Sequence, residues 1–402
     1  MTGNPRVSIV DAPGEPLRER TVAFDYLRSF GVLLVLLHHA VLAYVTFGFL
    51  NPYVPMQTFS PIAEAVFDFG VTWSGFDRLV LVNDTFFMPL LFLVSGLFVW
   101  QSLKHKGVFG FFLGRLKRLG IPFVIGLVII TPLAYYPTVL ALKLAYGMEI
   151  GFWQFVGDFF RSGMAETGPL WFVSLLLAFD LVISLIYAVL GRFLPTGKAR
   201  RNIVLDNPLV FVALLFGLSI AAYLPMARTF GVSEWLSFGP FRVQISRLFI
   251  YLLYFLSGVA LGARGLQRSA LRSDGWMAKY WWAWALAGAA AYSGLSWIFA
   301  LAPESPFVVY VFLAEMALMV MALTALFVRF ARRGVGILNS LSRNSYGIYL
   351  LHYLVIIWLQ YAILRTNLAV GWKASIVFFG GLAICWMATA ALRRIPAVRK
   401  VI

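Results

Sequence analysis

The chain is 402 residues long, 61% hydrophobic and 12% charged, with a formal net charge of +16, whereas soluble domains lie nearer ~45–50% apolar and ~25% charged. That balance excludes an ordinary soluble domain and predicts an all-α, polytopic membrane helix bundle. The Lys and Arg fall between apolar runs and do not line one solvated face, so the charge is topological and no nucleic-acid partner is expected.

Residues 1–20 carry Pro5, Pro13, Gly14, Pro16 and several charges but no apolar core of a secretory signal, and are expected to form a flexible cytoplasmic tail before one transmembrane domain over 21–402. Apolar runs of the length a bilayer core demands fall near 24–50, 82–103, 119–141, 169–191, 207–226, 246–264, 280–301, 307–329, 345–363 and 372–392, predicting about ten transmembrane helices. Most cations sit on one side of these runs, from Lys104, Lys106, Arg115 and Arg118 through Arg264, Arg272 and Arg332 to Arg393 and Lys400. The positive-inside rule therefore predicts that both termini are cytoplasmic.

The first helix carries the most informative stripe. Arg28 and His39 are eleven positions apart, which returns them to nearly one face about 16 Å apart along the axis, and Asp25 joins the same stripe near its start. Ionisable groups in hydrocarbon are a functional hypothesis by default. Burial suits His39 to a general-base role, while His38, about 80° off the stripe, is expected to pack. His352 is expected about two turns inside the ninth helix. Only four histidines and one cysteine, Cys385, are present, so no intramolecular disulfide and no metal site are expected.

At the third helix, Arg115, Lys117 and Arg118 lie beside Lys104, His105 and Lys106 from a short loop. Such cations anchor helix ends; with Arg28 at the same depth they could also form a phosphate-binding rim. An elongated ligand with phosphates at one end and a reactive group ~15–20 Å away, the shape of a coenzyme A thioester, would reach from that rim to His39. The outward loops near 51–80 and 142–168 are rich in aromatics, Pro and Gly, as suits an interfacial belt. Trp171 and Glu166 are placed at the outer surface where an acceptor could bind, with interfacial anchoring an equal reading for Trp171. Glu315, deep in the eighth helix, is a candidate acceptor contact, Asp84 is expected to face the interior, and Asp180 is expected to be structural.

The stretch Phe24-Asp25-Tyr26-Leu27-Arg28 followed by His38-His39 resembles the opening of the multi-spanning bacterial membrane O-acyltransferases known as acyltransferase family three. Further matches occur in order: Phe92-Leu93-Val94-Ser95-Gly96, then Arg115 and Arg118 with Pro122, then Leu170-Trp171-Phe172, then Ser345-Tyr346-Gly347-Ile348-Tyr349-Leu350-Leu351-His352. The resemblance runs from about residue 20 to the end. Around Asn83-Asp84-Thr85 the chain looks more like the branch containing glucan succinyltransferases.

That resemblance implies a transferase of the bacterial inner membrane that moves an acyl group, acetyl or succinyl, from cytoplasmic acyl-CoA to a hydroxyl of a cell-envelope carbohydrate. It implies essential roles for Arg28 and His39. Arg28, Arg115, Arg118, Ser95 and Tyr349 are then expected along the donor, with His352, Tyr349 or Ser95 at the thioester carbonyl and Asp25 fixing Arg28. The competing class is a proton-coupled transporter of a small polar solute, since intramembrane His, Asp and Glu also build proton relays.

Overall fold

The computed structural model describes residues 18–46, 71–147, 149–161, 167–191 and 202–402. Ten helices among these are long and apolar enough to cross a membrane, and the molecule is a multi-pass membrane protein. In chain order they are α1 (Arg18–Leu42), α2 (Ser74–Gly96), α3 (Val99–Leu144), α4 (Gly168–Val189), α5 (Pro208–Phe230), α6 (Leu248–Arg264), α7 (Trp281–Leu301), α8 (Val308–Phe330), α9 (Gly336–Ile363) and α10 (Val370–Leu392). The expected tail and most of the first outward loop lie outside the described residues.

Burial separates a central group from a rim. The apolar stretch of α2 is 78% buried, that of α7 only 17%. A helix apolar on every side but buried on few is facing lipid. α2 packs against α1, α6 and α8, and α1 in turn meets α8 and α9. The seam between α2 and α6 is made by glycines: a Cβ at Gly258 would lie 2.1 Å from the Leu93 carbonyl oxygen, and one at Gly96 would lie 2.2 Å from that of Phe255. Small residues let the two backbones touch where no hydrophobic drive between helices exists. Gly96 of the Ser95-Gly96 pair is thus a packing residue.

Prolines explain how α3 docks on α9. Pro122 has no N–H, so the carbonyl of Arg118, four residues back, loses its helical partner; the Tyr346 hydroxyl of α9 donates to it at 2.6 Å. Pro137 frees the Leu133 carbonyl in the same way, and the Trp358 indole of α9 donates to it at 2.9 Å. A π-helical turn, Leu116–Gly120, immediately precedes Pro122.

Several boundaries differ from the sequence expectation. α2 begins at Ser74 and α9 at Gly336, earlier than the apolar runs, because polar first turns hide a helix start. Lys104, His105 and Lys106 are helical, and the expected loop is instead a break at Gly107, whose φ of 67° only glycine adopts freely. His352 lies sixteen residues after Gly336, about 24 Å along α9 and so near mid-helix, well beyond two turns. Between α5 and α6 a hairpin of β1 (Trp235–Phe238) and β2 (Phe241–Gln244) pairs antiparallel with Phe238 opposite Phe241, turning at Gly239, φ 55°, and Pro240.

Candidate active site

Among the described residues, two cavities bring the site residues together. One, of about 360 Å³, is lined by Arg28, Ser95, Arg115, Arg118, Arg343 and Tyr346, and by residues that follow α10, among them Arg399 and Lys400. The other, of about 100 Å³, is lined by His38, His39, Asp84, Trp171, Tyr349 and Tyr353, and by Trp235, Arg242 and Gln244 of the hairpin. Tyr349 is the one residue that lines both. Helix α1 runs past both as well, giving Arg28 and Val32 to the cationic cavity and Val35, His38 and His39 to the aromatic one.

The cationic cavity is held by specific partners. Arg28 pairs with Asp25 at 3.3 Å, both side chains about two-fifths exposed (44% and 41%). The Asp25 carbonyl accepts from Ser29 at 2.8 Å, tying the turn that presents the pair. Arg115 meets the fully buried Asp180 at 3.1 Å and stands 5.1 Å from the Phe111 ring centre. Asp180 is thus structural in a defined way: it aims a cavity arginine. Tyr346 holds the backbone of Arg118, and Ser95 lines the cavity from α2.

Three histidines gather at the aromatic cavity: His38 and His39 line it, and His352 packs behind His39. The His39 ring centre is 5.4 Å from that of His38, 5.3 Å from His352 and 5.2 Å from Tyr353. Gln360 of α9 donates to the His39 carbonyl at 2.8 Å and fixes α1 against α9 at this level. His352 Nδ1 is 2.5 Å from the Tyr349 carbonyl. A carbonyl only accepts, so Nδ1 carries the proton and the neutral ring keeps its lone pair at Nε2. That Nε2 is buried with no hydrogen-bond partner among the described residues, as is Nδ1 of His39. His38 packs on Phe87, as the sequence suggests, and it also lines the cavity.

Trp171 stands 5.9 Å from Trp235 and 5.3 Å from Tyr251, centre to centre, and Arg242 lies 5.0 Å over the Trp235 ring. Asp84 forms a 2.7 Å ion pair with Arg247, which also donates to the Asp84 carbonyl. The Tyr349 hydroxyl donates to the Pro169 carbonyl at the start of α4, and Pro169 lines the aromatic cavity beside it.

Two expected acceptor contacts fare differently. Glu315 is fully buried, accepts from the Thr85 hydroxyl and lines neither cavity; its role as an acceptor contact is corrected to that of a buried bond between α2 and α8. Glu166 lies outside the described residues. The hairpin residues Trp235, Arg242 and Gln244 were missed by the sequence reading. Their signal was the Gly239-Pro240 turn between two short aromatic runs.

A family model described as the acyltransferase domain of acyltransferase family three matches residues 21–390. The chain belongs to acyltransferase family three. It is accordingly a membrane acyltransferase, which decides between the two classes the sequence left open. No curated protein and no solved structure matches this acyltransferase.

Proposed function

We propose that this acyltransferase takes an acyl group, acetyl or succinyl, from an acyl-CoA on the cytoplasmic side of a bacterial inner membrane. The acceptor would be a hydroxyl of a cell-envelope carbohydrate or related molecule, bound from the opposite side. The observation that carries the reading is the division of labour along α1, with Arg28 in a cationic cavity, His39 in an aromatic one, and Tyr349 lining both. Guanidinium groups suit phosphates. Indole faces such as Trp171 and Trp235 offer an apolar platform with hydrogen-bonding groups at its edge, as a sugar requires.

In this reading Arg28, Arg115 and Arg118 hold the donor's phosphates, and its acyl end passes Tyr349 to reach His39. His39 accepts the proton of the acceptor hydroxyl as that oxygen bonds to the thioester carbonyl carbon. The carbon–sulfur bond then breaks and the proton passes from His39 to the departing thiolate, leaving an ester and free coenzyme A. His352, its tautomer set by the Tyr349 carbonyl, is a positioning residue packed against the His39 ring. The Tyr349 hydroxyl, on the residue that lines both cavities, would steady the developing oxyanion once released from Pro169.

The test is release of coenzyme A thiol by the purified protein in lipid, followed by mass spectrometry of envelope glycans from cells with and without it. Thiol release that needs a carbohydrate acceptor, and a glycan mass shift of one acyl group, are the expected results. Acyl transfer from a donor lacking coenzyme A, with acetyl- and succinyl-CoA left untouched, would overturn the reading.

A further inference from the structure

The phosphate-binding residues anticipated from sequence account for only part of the cationic cavity. Seven cationic residues line it: Arg28, Arg115, Arg118, Arg343, Arg393, Arg399 and Lys400. No Asp or Glu is among its lining residues. Asp25 and Asp180 offset Arg28 and Arg115 from behind. Arg393 is engaged by the main-chain oxygen of the last residue, Ile402; Arg118, Arg343, Arg399 and Lys400 form no ion pair among the described residues, and at effective dielectrics near 20 two unit charges 4 Å apart repel by about 4 kcal/mol. Such a concentration of one sign is a site for a multiply charged anion.

Three of the seven come from the segment after α10. That segment turns through a short helix, Pro396–Arg399, and is folded back by Arg393, whose guanidinium donates to a main-chain oxygen of the last residue, Ile402, at 2.7 Å. The fold-back carries Arg399, Lys400, Val401 and Ile402 into the cavity wall opposite elements α1 and α3. A single diphosphate satisfies the Arg28, Arg115 and Arg118 group. The second cationic group is left for a second anionic centre, and a phosphomonoester carries roughly −1.5 to −2 at neutral pH.

We propose that the segment after α10 is a clamp for a second phosphate, so that the cavity selects a donor bearing a diphosphate and a separate phosphomonoester. The clamp deepens the donor assignment made above and rests on it for the identity of the donor. In a coenzyme A thioester the separate phosphomonoester is the ribose 3′-phosphate.

Binding of adenosine 3′,5′-bisphosphate and of adenosine 5′-monophosphate to the full chain in zwitterionic nanodiscs tests it, because anionic headgroups are then absent as competitors. The wild type should bind the bisphosphate at least tenfold more tightly. The double variant Arg399→Gln/Lys400→Gln should bring that ratio close to one while leaving monophosphate binding within about twofold. An 8-azido derivative of the bisphosphate should label peptides within residues 393–402 of the wild type. A wild type that does not discriminate, a variant that keeps the ratio, or labelling elsewhere overturns the clamp; the first and third need no variant, so a variant that fails to fold does not rescue it. Nucleotide discrimination lost only when anionic lipid is added would assign the cations to headgroups and also overturn it. Thioester turnover is measured separately: discrimination without turnover leaves the clamp and removes the donor assignment, whereas turnover without discrimination does the reverse.

Discussion

The two cavities differ in what fixes them. The cationic one is built from long side chains steadied by individual partners, Asp25 for Arg28, Asp180 for Arg115 and Tyr346 for the Arg118 backbone. The aromatic one is built from rings on α1, α3, α4, α9 and the hairpin, several of which meet edge to face. A charged ligand end can be caught by arms that move; a proton transfer needs a ring that does not. The contrast suits capture in one cavity and chemistry in the other.

The largest effect that can break this contrast belongs to His39. His39→Ala should reduce acyl transfer by about 10²–10⁴, the range that general acid–base groups contribute, while nucleotide binding in the cationic cavity stays within twofold of wild type. Steady-state turnover and equilibrium binding on one preparation separate the two. Equal loss of both would show that the cavities are not functionally distinct. His352→Ala should cost less than His39→Ala, since its Nδ1 is committed to the Tyr349 carbonyl.

Next in size is the arm that Asp180 aims. Arg115→Gln should raise the donor KM by about tenfold, on the order of the 1.5–3 kcal/mol that a hydrogen bond to a charged group contributes. Asp180→Asn, which keeps the cation but frees it, should raise donor KM by a smaller factor and leave acceptor KM unchanged. A larger effect from Asp180→Asn would place the acid in the chemistry and not behind it.

On the acceptor side, Trp235→Ala should raise acceptor KM by about three- to tenfold with donor KM unchanged, because aromatic pairs contribute roughly 0.5–1.5 kcal/mol beyond their burial. The measurement is initial-rate kinetics with each substrate varied in turn. A change confined to donor KM would move the hairpin to the other cavity's account.

Much of this arrangement was legible before any coordinates. The Arg28, His39 and Asp25 stripe follows from helical geometry alone, and the helix count follows from run length, because both depend on one segment at a time. What was not legible depends on two. Nothing local says that Asp180 of α4 will meet Arg115 of α3, or that the carbonyls freed by Pro122 and Pro137 will be taken by Tyr346 and Trp358. The tail cations read as topological charge until Arg393 is seen to fold them under the bundle. Glu315 shows the opposite failure: a carboxylate deep in an apolar helix looked like a ligand contact because its partner, Thr85, lies 230 positions away.

Glu315 therefore supplies the smallest expected kinetic effect and a sharp control for the two-cavity division. Glu315→Gln keeps the volume and an oxygen that accepts from Thr85, so transfer rate and both KM values should stay within twofold of wild type. Glu315→Ala removes that bond and opens a void between α2 and α8, while the Thr85 hydroxyl keeps the Val82 carbonyl as an acceptor. The lost packing is destabilising, which should appear as a lower melting temperature in lipid nanodiscs, with KM for both substrates unchanged in the protein that remains folded. A selective rise in acceptor KM in either variant would restore Glu315 to the acceptor site, against which its burial and its absence from both linings now speak.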